Sequence, residues 1–301
     1  PRIRAFTMSP GATFRASKQK SLGDDSVLSA LPVTLPPATS PLIRTFSMII
    51  PFFGMGPRVN HGCRSAKPWY GMLFGMEYSP ELVRYLGGFV TAERLARMQE
   101  VLSHRSRYIS VVLEDIFQPH NASAVLRTCD AFGIQDVHII ERKNEYRINP
   151  DVALGSAQWL SLHRYKQERA DSVAVLGRLK QQGYRIVATA PHAEGHSLFD
   201  FPLADGPIAL VFGTELTGIS QEIIENADAF LTIPMYGFVE SFNISVSVAI
   251  CLSHLSTQMR TMGLPWALET GERNHLLYDW LRSSVKHSDR IIEEYRLRQP
   301  D

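Results

Sequence analysis

The sequence has almost no net charge, few cysteines and no long uninterrupted apolar run. Among 301 residues, 31 Lys and Arg face 30 Asp and Glu, a formal net charge of +1. No global field therefore argues for a nucleic-acid partner, and any such surface must come from local clustering of charge. The three cysteines, Cys63, Cys129 and Cys251, stand far apart in no metal-ligand spacing. That argues against a zinc knuckle or a disulfide framework, leaves no metal site to expect, and suits a reducing, cytoplasmic compartment. The nearest approach to a membrane span, Leu42 to Gly56, is interrupted by Arg44, Pro51 and glycines, so no membrane partner is expected. The glycine fingerprints for dinucleotides (G-x-G-x-x-G) and nucleoside triphosphates (G-x-x-x-x-G-K-S/T) are absent as well.

What is present has the balance of a globular protein, 45% apolar and 20% charged, with enough chain for a substantial core. Residues 1–75 stand apart. Prolines recur from Pro10 to Pro68, Asp24 and Asp25 are the only acids, and no helical or strand period persists. A disordered tail, a targeting segment and sequence upstream of the natural start all fit this composition. Met76 precedes the first well-patterned stretch, and a start near it is expected.

From Thr91 the pattern becomes regular. Leu95, Met98, Val101 and Leu102 follow it at helical spacing, with Arg94, Arg97, Arg105 and Arg107 read on the opposite face. Strands are expected at Ile109–Leu113, Val137–Ile140, Arg185–Thr189, Ile208–Phe212 and Ala229–Ile233. Helices are expected at Ala122–Ala131, Asp171–Gln182, Gln221–Asn226 and Ile244–Met259. Val- and Ile-rich strands alternating with helices predict an α/β fold, a mostly parallel sheet with helices on both faces. Beyond Gly263 a polar stretch leads into a charged, helical segment, Asn274–Arg298. The organisation expected is residues 1–75, a helical extension over 76–107, the sheet domain over 108–262 and a second helical extension over 263–301.

Ligands of open parallel sheets bind at the carboxyl ends of the strands, and three expected loops there are unusually polar. In the first, Pro119 ends an extended segment, Asn121 is placed to cap the next helix, and Arg127 follows about two turns on. Taken alone, this reads most simply as a capped surface helix with a solvated arginine. In the second, the strand ending at Phe212 runs into Gly213, Glu215 and Gly218, where glycine permits close approach of a ligand to the backbone. In the third, a strand ends at Ile233-Pro234, crosses Met235 to Glu240, and enters a helix through Ser241, Phe242 and Asn243. A helix cap accounts for Ser241 or Asn243 but not both. No nucleophile elbow surrounds Ser241, and His120, His138, His163 and His254 supply no evident triad partner.

Together, "NASAVLRTCDAFG", "LVFGTELTGIS" and "IPMYGFVESFNISVSVAI" resemble, in order and spacing, the TrmH (SpoU) branch of the SPOUT methyltransferases. The likeness covers roughly residues 91–260, and "LGSAQWLSLHRY" is similar to a further family segment. It implies a C-terminal deep trefoil knot, an exception to the un-knotted rule, binding of S-adenosylmethionine in that knot, and a homodimer. Carried onto matching positions, Thr189, Gly213, Ile233, Met235 and Phe242 would line the cofactor pocket. Asn121, Arg127, Glu215, Ser241 and Asn243 match the family's active-site positions. Two departures are Glu240, where the family has Gln, and Phe242, where it has Leu.

The chemistry implied is methylation of a ribose 2′-hydroxyl in RNA. The hydroxyl is a poor nucleophile, so the site must align it and help remove its proton. Arg127, with an RNA phosphate, is expected to do this, while Glu215 anchors its loop. RNA phosphates are expected at Arg94, Arg97, Arg105, Arg107, Arg260, Arg282 and Lys286. A tRNA guanosine is the leading substrate. Ribosomal RNA, or a non-catalytic RNA-binding role, are the competing readings.

Overall fold

A computed structural model describes residues 79–166, 171–190, 195–214 and 217–298. The expectations for residues 1–75 and for Glu215 fall outside these residues. The described residues belong to one unit, Gly62–Asp301.

The strands β1 (Ile109–Glu114) and β2 (Asp136–Glu141) are buried at every position, as is β6 (Ile208–Phe212). Continuous burial is what a sheet covered on both faces demands, and it explains why these segments read as unbroken apolar runs. With β3 (Ser161–Lys166), β4 (Arg185–Thr189), β5 (His196–Ser197) and β7 (Ala229–Thr232) they form a seven-stranded sheet, ordered β3-β2-β1-β6-β4-β7-β5. Every pairing is parallel. The five expected strands are present, lengthened or shortened by a residue at some ends. The strands β3 and β5 were not foreseen. Both lie at sheet edges, where partial exposure removes the apolar run, and β5 has only two residues.

Alternation along β1 sends Ile109, Val111 and Leu113 to one face and Val112 to the other. The first face packs on α3 (Pro119–Ala131) and α6 (Ile244–Thr261), through Val125, Leu126 and Cys129 of α3 and Val248, Leu252 and Leu255 of α6. The second packs on α4 (Ser172–Gln181) and α5 (Gln221–Asn226), through Val175, Leu176, Leu179 and Ile223.

A third core lies in the flanks. The helices α1 (Pro80–Gly87) and α2 (Ala92–Ser103) precede the sheet; α7 (Thr270–Ser284) and α8 (Ser288–Leu297) follow it. Leu82, Leu86, Met98 and Leu102 from the first pair bury against Leu276, Trp280, Leu281 and Ile292 from the second. The helical stretch expected over Asn274–Arg298 is thus two helices, divided near His287, whose φ is +60°. Thr91 caps α2, its hydroxyl accepting from the backbone N–H of Arg94 at 3.2 Å.

Two of the expected RNA contacts require correction. The helix α2 stops at Ser103, so Arg105 and Arg107 do not extend its solvent face but lie on the segment that turns inward to β1. The side chain of Arg105 is fully buried, pairs with Asp130, and lies 5.3 Å from the Trp280 ring centroid. Arg107 donates to Asp136 at 2.7 Å and to Glu272 at 2.8 Å, joining β2 to α7. Both arginines hold the sheet to the flanking helices. Arg94, Arg97, Arg282 and Lys286 remain exposed. Arg260 is half-buried, 4.3 Å from the Trp266 centroid and donating to the carbonyl of His104 at 2.9 Å.

Candidate active site

Three connections gather at the carboxyl edge of the sheet: residues 115–118 between β1 and α3, 213–220 between β6 and α5, and 233–243 between β7 and α6. The second is pinned back on itself. Thr214 N–H donates to the Gly218 carbonyl at 2.9 Å, Gly218 N–H returns to the Thr214 carbonyl at 3.0 Å, and the two threonine hydroxyls, of Thr214 and Thr217, lie 2.7 Å apart. Only glycine suits position 213, because a Cβ there would sit 2.1 Å from the Gly218 carbonyl oxygen. Gly218 itself has φ +68°, in the left-handed region.

Loop 213–220 is also anchored from below. Glu114, the buried last residue of β1, accepts from the Ser220 N–H at 2.8 Å, the Ser220 hydroxyl at 2.7 Å and the Ser172 hydroxyl at 2.9 Å. Its neighbour Asp115 adopts φ +54°. One Asp115 oxygen, Oδ1, accepts from the backbone N–H groups of Arg142 (2.7 Å), Lys143 (2.8 Å) and Asn144 (3.3 Å). Sequence reasoning passed over both acids. Their one signal was a pair of carboxylates directly after an apolar strand.

The first and third connections meet through two asparagines. Here the cap expected at Asn121 is corrected: α3 begins three residues before the expected Ala122, at Pro119, and Gln118 is its N-cap residue. Proline supplies the helical φ and lacks the N–H that a first turn leaves unpaired, so it starts the helix by itself. Asn121 is buried within the first turn and serves another task. Its Nδ2 donates to Gln118 Oε1 at 3.0 Å, and its Oδ1 accepts from Asn243 Nδ2 at 3.2 Å. Asn243 is the cap of α6, its Oδ1 accepting from the Ser245 N–H at 2.9 Å.

Two cavities open around these loops. The first, about 370 Å³, is lined by all five residues expected at a cofactor pocket: Thr189, Gly213, Ile233, Met235 and Phe242. Ser241 and Glu240 also line it, and Leu231 and Ile244 add to an apolar wall. Glu240 forms no ion pair among the described residues. The second cavity, about 780 Å³, is bounded by Asp115, Phe117, Asn121, Lys143 and Asn144, and shares Thr214, Thr217, Gly218 and Ile244 with the first. Arg127 lines neither. It is exposed on the outer stripe of α3 with Ala124, Thr128 and Ala131, and makes no hydrogen bond or ion pair among the described residues.

Such an arrangement defines a parallel α/β protein with two cavities that share a wall, the second bounded by more charged side chains than the first. Residues 108–253 match the model of the SpoU rRNA Methylase family. A tRNA (guanosine(18)-2′-O)-methyltransferase of Borreliella burgdorferi is 43% identical over 202 residues, covering 67% of this chain and 90% of the relative. The enzyme of the same name from Thermus thermophilus is 34% identical over 197 residues, 64% of this chain and 97% of the relative. The solved structure of the A. aeolicus TrmH/SpoU tRNA modifying enzyme superposes with a TM-score of 0.58 at 32% identity, covering 64% of this chain and 98% of that one. The chain belongs to the SpoU methylase family.

Proposed function

We propose that this chain transfers a methyl group from S-adenosylmethionine to a ribose 2′-hydroxyl of tRNA, at a guanosine. The observation that carries the reading is the Asn243–Asn121 hydrogen bond, which couples a loop of the first cavity to the helix bounding the second. Family membership and the names of the relatives support the reaction and the substrate.

The residues of the first cavity fit S-adenosylmethionine. Leu231, Ile233, Met235, Phe242 and Ile244 offer an apolar wall for a flat base and a thioether chain, while the hydroxyls of Thr189 and Ser241 and the backbone around Gly213 offer polar partners. Among the described residues no cationic side chain lines it, which suits a sulfonium. When bound, the cofactor supplies an electrophilic methyl group whose departure needs no acid. Asn121 and Asn243 hold the acceptor ribose against that cavity, reducing the reaction to the approach of two fixed groups. Against that methyl group the two asparagines would align the hydroxyl oxygen, and Arg127 would orient the RNA phosphate or water that takes the hydroxyl proton. The planar, five-donor guanidinium suits orientation and charge stabilisation better than proton abstraction.

Arg127 does not reach the cavities of its own protomer, and the dimer reading resolves this. The outer face of α6 presents Val246, Ala249, Ile250, Ser253 and Thr257, beside the exposed ring of Phe199. A second copy seated on this apolar face would carry Arg127 from one protomer to the site of the other. The deep trefoil knot belongs to the same proposal, supported by the way Gly213, Thr214 and Gly218 wall one cavity with Ile233, Met235 and Phe242.

The test is methyl transfer by the purified protein to unmodified tRNA and to ribosomal RNA, with the product nucleotide mapped. Transfer to tRNA at a guanosine 2′-oxygen is expected. Transfer to ribosomal RNA alone would shift the substrate, and no transfer with intact cofactor binding would remove the enzymatic reading.

A further inference from the structure

The second cavity contains features that methyl transfer alone leaves unexplained. Phe117 stands on its wall with 71% of its surface exposed, between buried Ile116 and the helix start at Pro119. Asp115 lies beside it in a left-handed conformation, which costs a non-glycine residue energy and tends to persist where function requires it. Three backbone N–H groups converge on its Oδ1 and fix the carboxylate in place. Its Oδ2 accepts no hydrogen bond among the described residues. Lys143, also on this cavity, is exposed and has no ion pair among them.

We infer that this cavity is a nucleobase pocket that selects guanine, with Phe117 as its stacking platform and Asp115 Oδ2 as the acceptor that reads the base. The inference rests on the functional reading above and deepens it. An exposed aromatic ring offers its face to any base, which supplies affinity without choice. A fixed carboxylate oxygen that accepts no hydrogen bond among the described residues supplies the choice. Guanine presents two adjacent donors, N1–H and the 2-amino group, on its Watson–Crick edge, whereas adenine presents one donor, its 6-amino group, beside the acceptor N1, which the carboxylate repels. The walls shared with the first cavity, Thr214, Thr217, Gly218 and Ile244, then lie where the ribose of that nucleotide must pass. Lys143 is a point-charge partner for a flanking phosphate.

The experiment uses the full chain and a tRNA transcript carrying either guanosine or adenosine at the mapped position. Phe117→Ala should lower kcat/KM for the RNA by roughly ten- to a hundredfold, the range of a lost stacking platform. Its cofactor affinity by calorimetry should be unchanged, and Phe117→Tyr should recover most of the loss. Asp115→Asn keeps an oxygen for the backbone N–H groups but can turn an amide donor towards the base. It should therefore reduce the guanosine-to-adenosine preference by about tenfold or more. The indole introduced by Phe117→Trp reports binding without turnover: guanosine 5′-monophosphate should quench it more strongly than adenosine 5′-monophosphate. A wild-type guanosine preference in Asp115→Asn, full activity in Phe117→Ala, or equal quenching by the two nucleotides would overturn the inference. Failure of the wild-type protein to methylate any RNA, with selective quenching intact, would overturn the enzymatic reading and leave the guanine pocket standing.

Discussion

Asn243 donates its side-chain N–H to the side-chain oxygen of Asn121 at 3.2 Å, across 122 positions of chain. Each amide has a second commitment, Asn243 to the start of α6 and Asn121 to Gln118. The pair therefore fixes two helix starts relative to one another at the boundary of two cavities. An amide pair suits such a joint because each partner can donate and accept at once without carrying charge into a half-buried place.

Asn121→Ala breaks the bridge and leaves the α6 cap in place. Methyl-transfer kcat should fall on the order of a hundredfold, the scale of a small misplacement at a reacting centre. Cofactor affinity should hold, because Asn121 does not line the first cavity. Single-turnover kinetics beside calorimetry measures both, and a parallel loss of the two would place Asn121 in cofactor binding instead.

Arg127→Ala should abolish transfer without altering cofactor binding. If the arginine works at the partner's site, mixing Arg127→Ala with Asn121→Ala and allowing subunits to exchange should recover activity, since one site of each mixed dimer then keeps both residues. No recovery after verified exchange would confine Arg127 to its own protomer.

Gly213→Ala should empty the first cavity of ligand. The added Cβ meets backbone at Gly218, which cannot move aside as a flexible side chain could. The loop must open, and calorimetry should register loss of S-adenosylmethionine binding with the melting temperature little changed. Wild-type affinity in this variant would mean that the loop geometry is not what holds the cofactor.

Stability should decline in acid in two stages. Burial, helped by the neighbouring His163, pushes the His138 imidazole down from its ordinary 6.5 to about 3. Below pH 6.5 the unfolded chain takes up a proton that the folded one refuses, so stability falls as pH falls from 6.5 towards 3, by up to about 1.4 kcal/mol per pH unit. Asp136 follows. Burial alone would raise it, but Arg107 and then His163 outweigh burial and hold it at about 2. Its contribution is full above its ordinary 3.8 and is lost as pH falls through about 2. Thermal melts of wild type and His138→Phe between pH 7 and pH 4 should diverge, with the variant flatter; parallel curves would exclude His138 as the titrating group.

The sheet was largely legible in the sequence because buried strands announce themselves. Runs such as Ile208–Phe212 must be apolar on both faces, and no helix that short would be. The edges were not legible: Ser161–Lys166 pairs along its whole length with β2, yet its partial exposure leaves it without a run to recognise. That Thr189, Gly213, Ile233, Met235 and Phe242 line one cavity was legible because motif order carried it. The roles of Arg105 and Arg107 were not, since an arginine near a basic helix looks the same whether the chain runs on into solvent or turns into the core. Glu114 and Asp115 stayed hidden because their partners come from distant segments, at Ser172, Ser220 and residues 142–144.

The shared core of the flanking helices has a consequence for how this protein can vary. Leu82 and Leu86 have their cover in Leu276, Trp280 and Ile292, and Arg107 ties that assembly to the sheet through Asp136 and Glu272. The segments before and after the sheet are therefore two halves of one clasp. Trimming either leaves the other with a bare apolar face, so the two ends of this region can be lengthened, shortened or exchanged only as a matched pair.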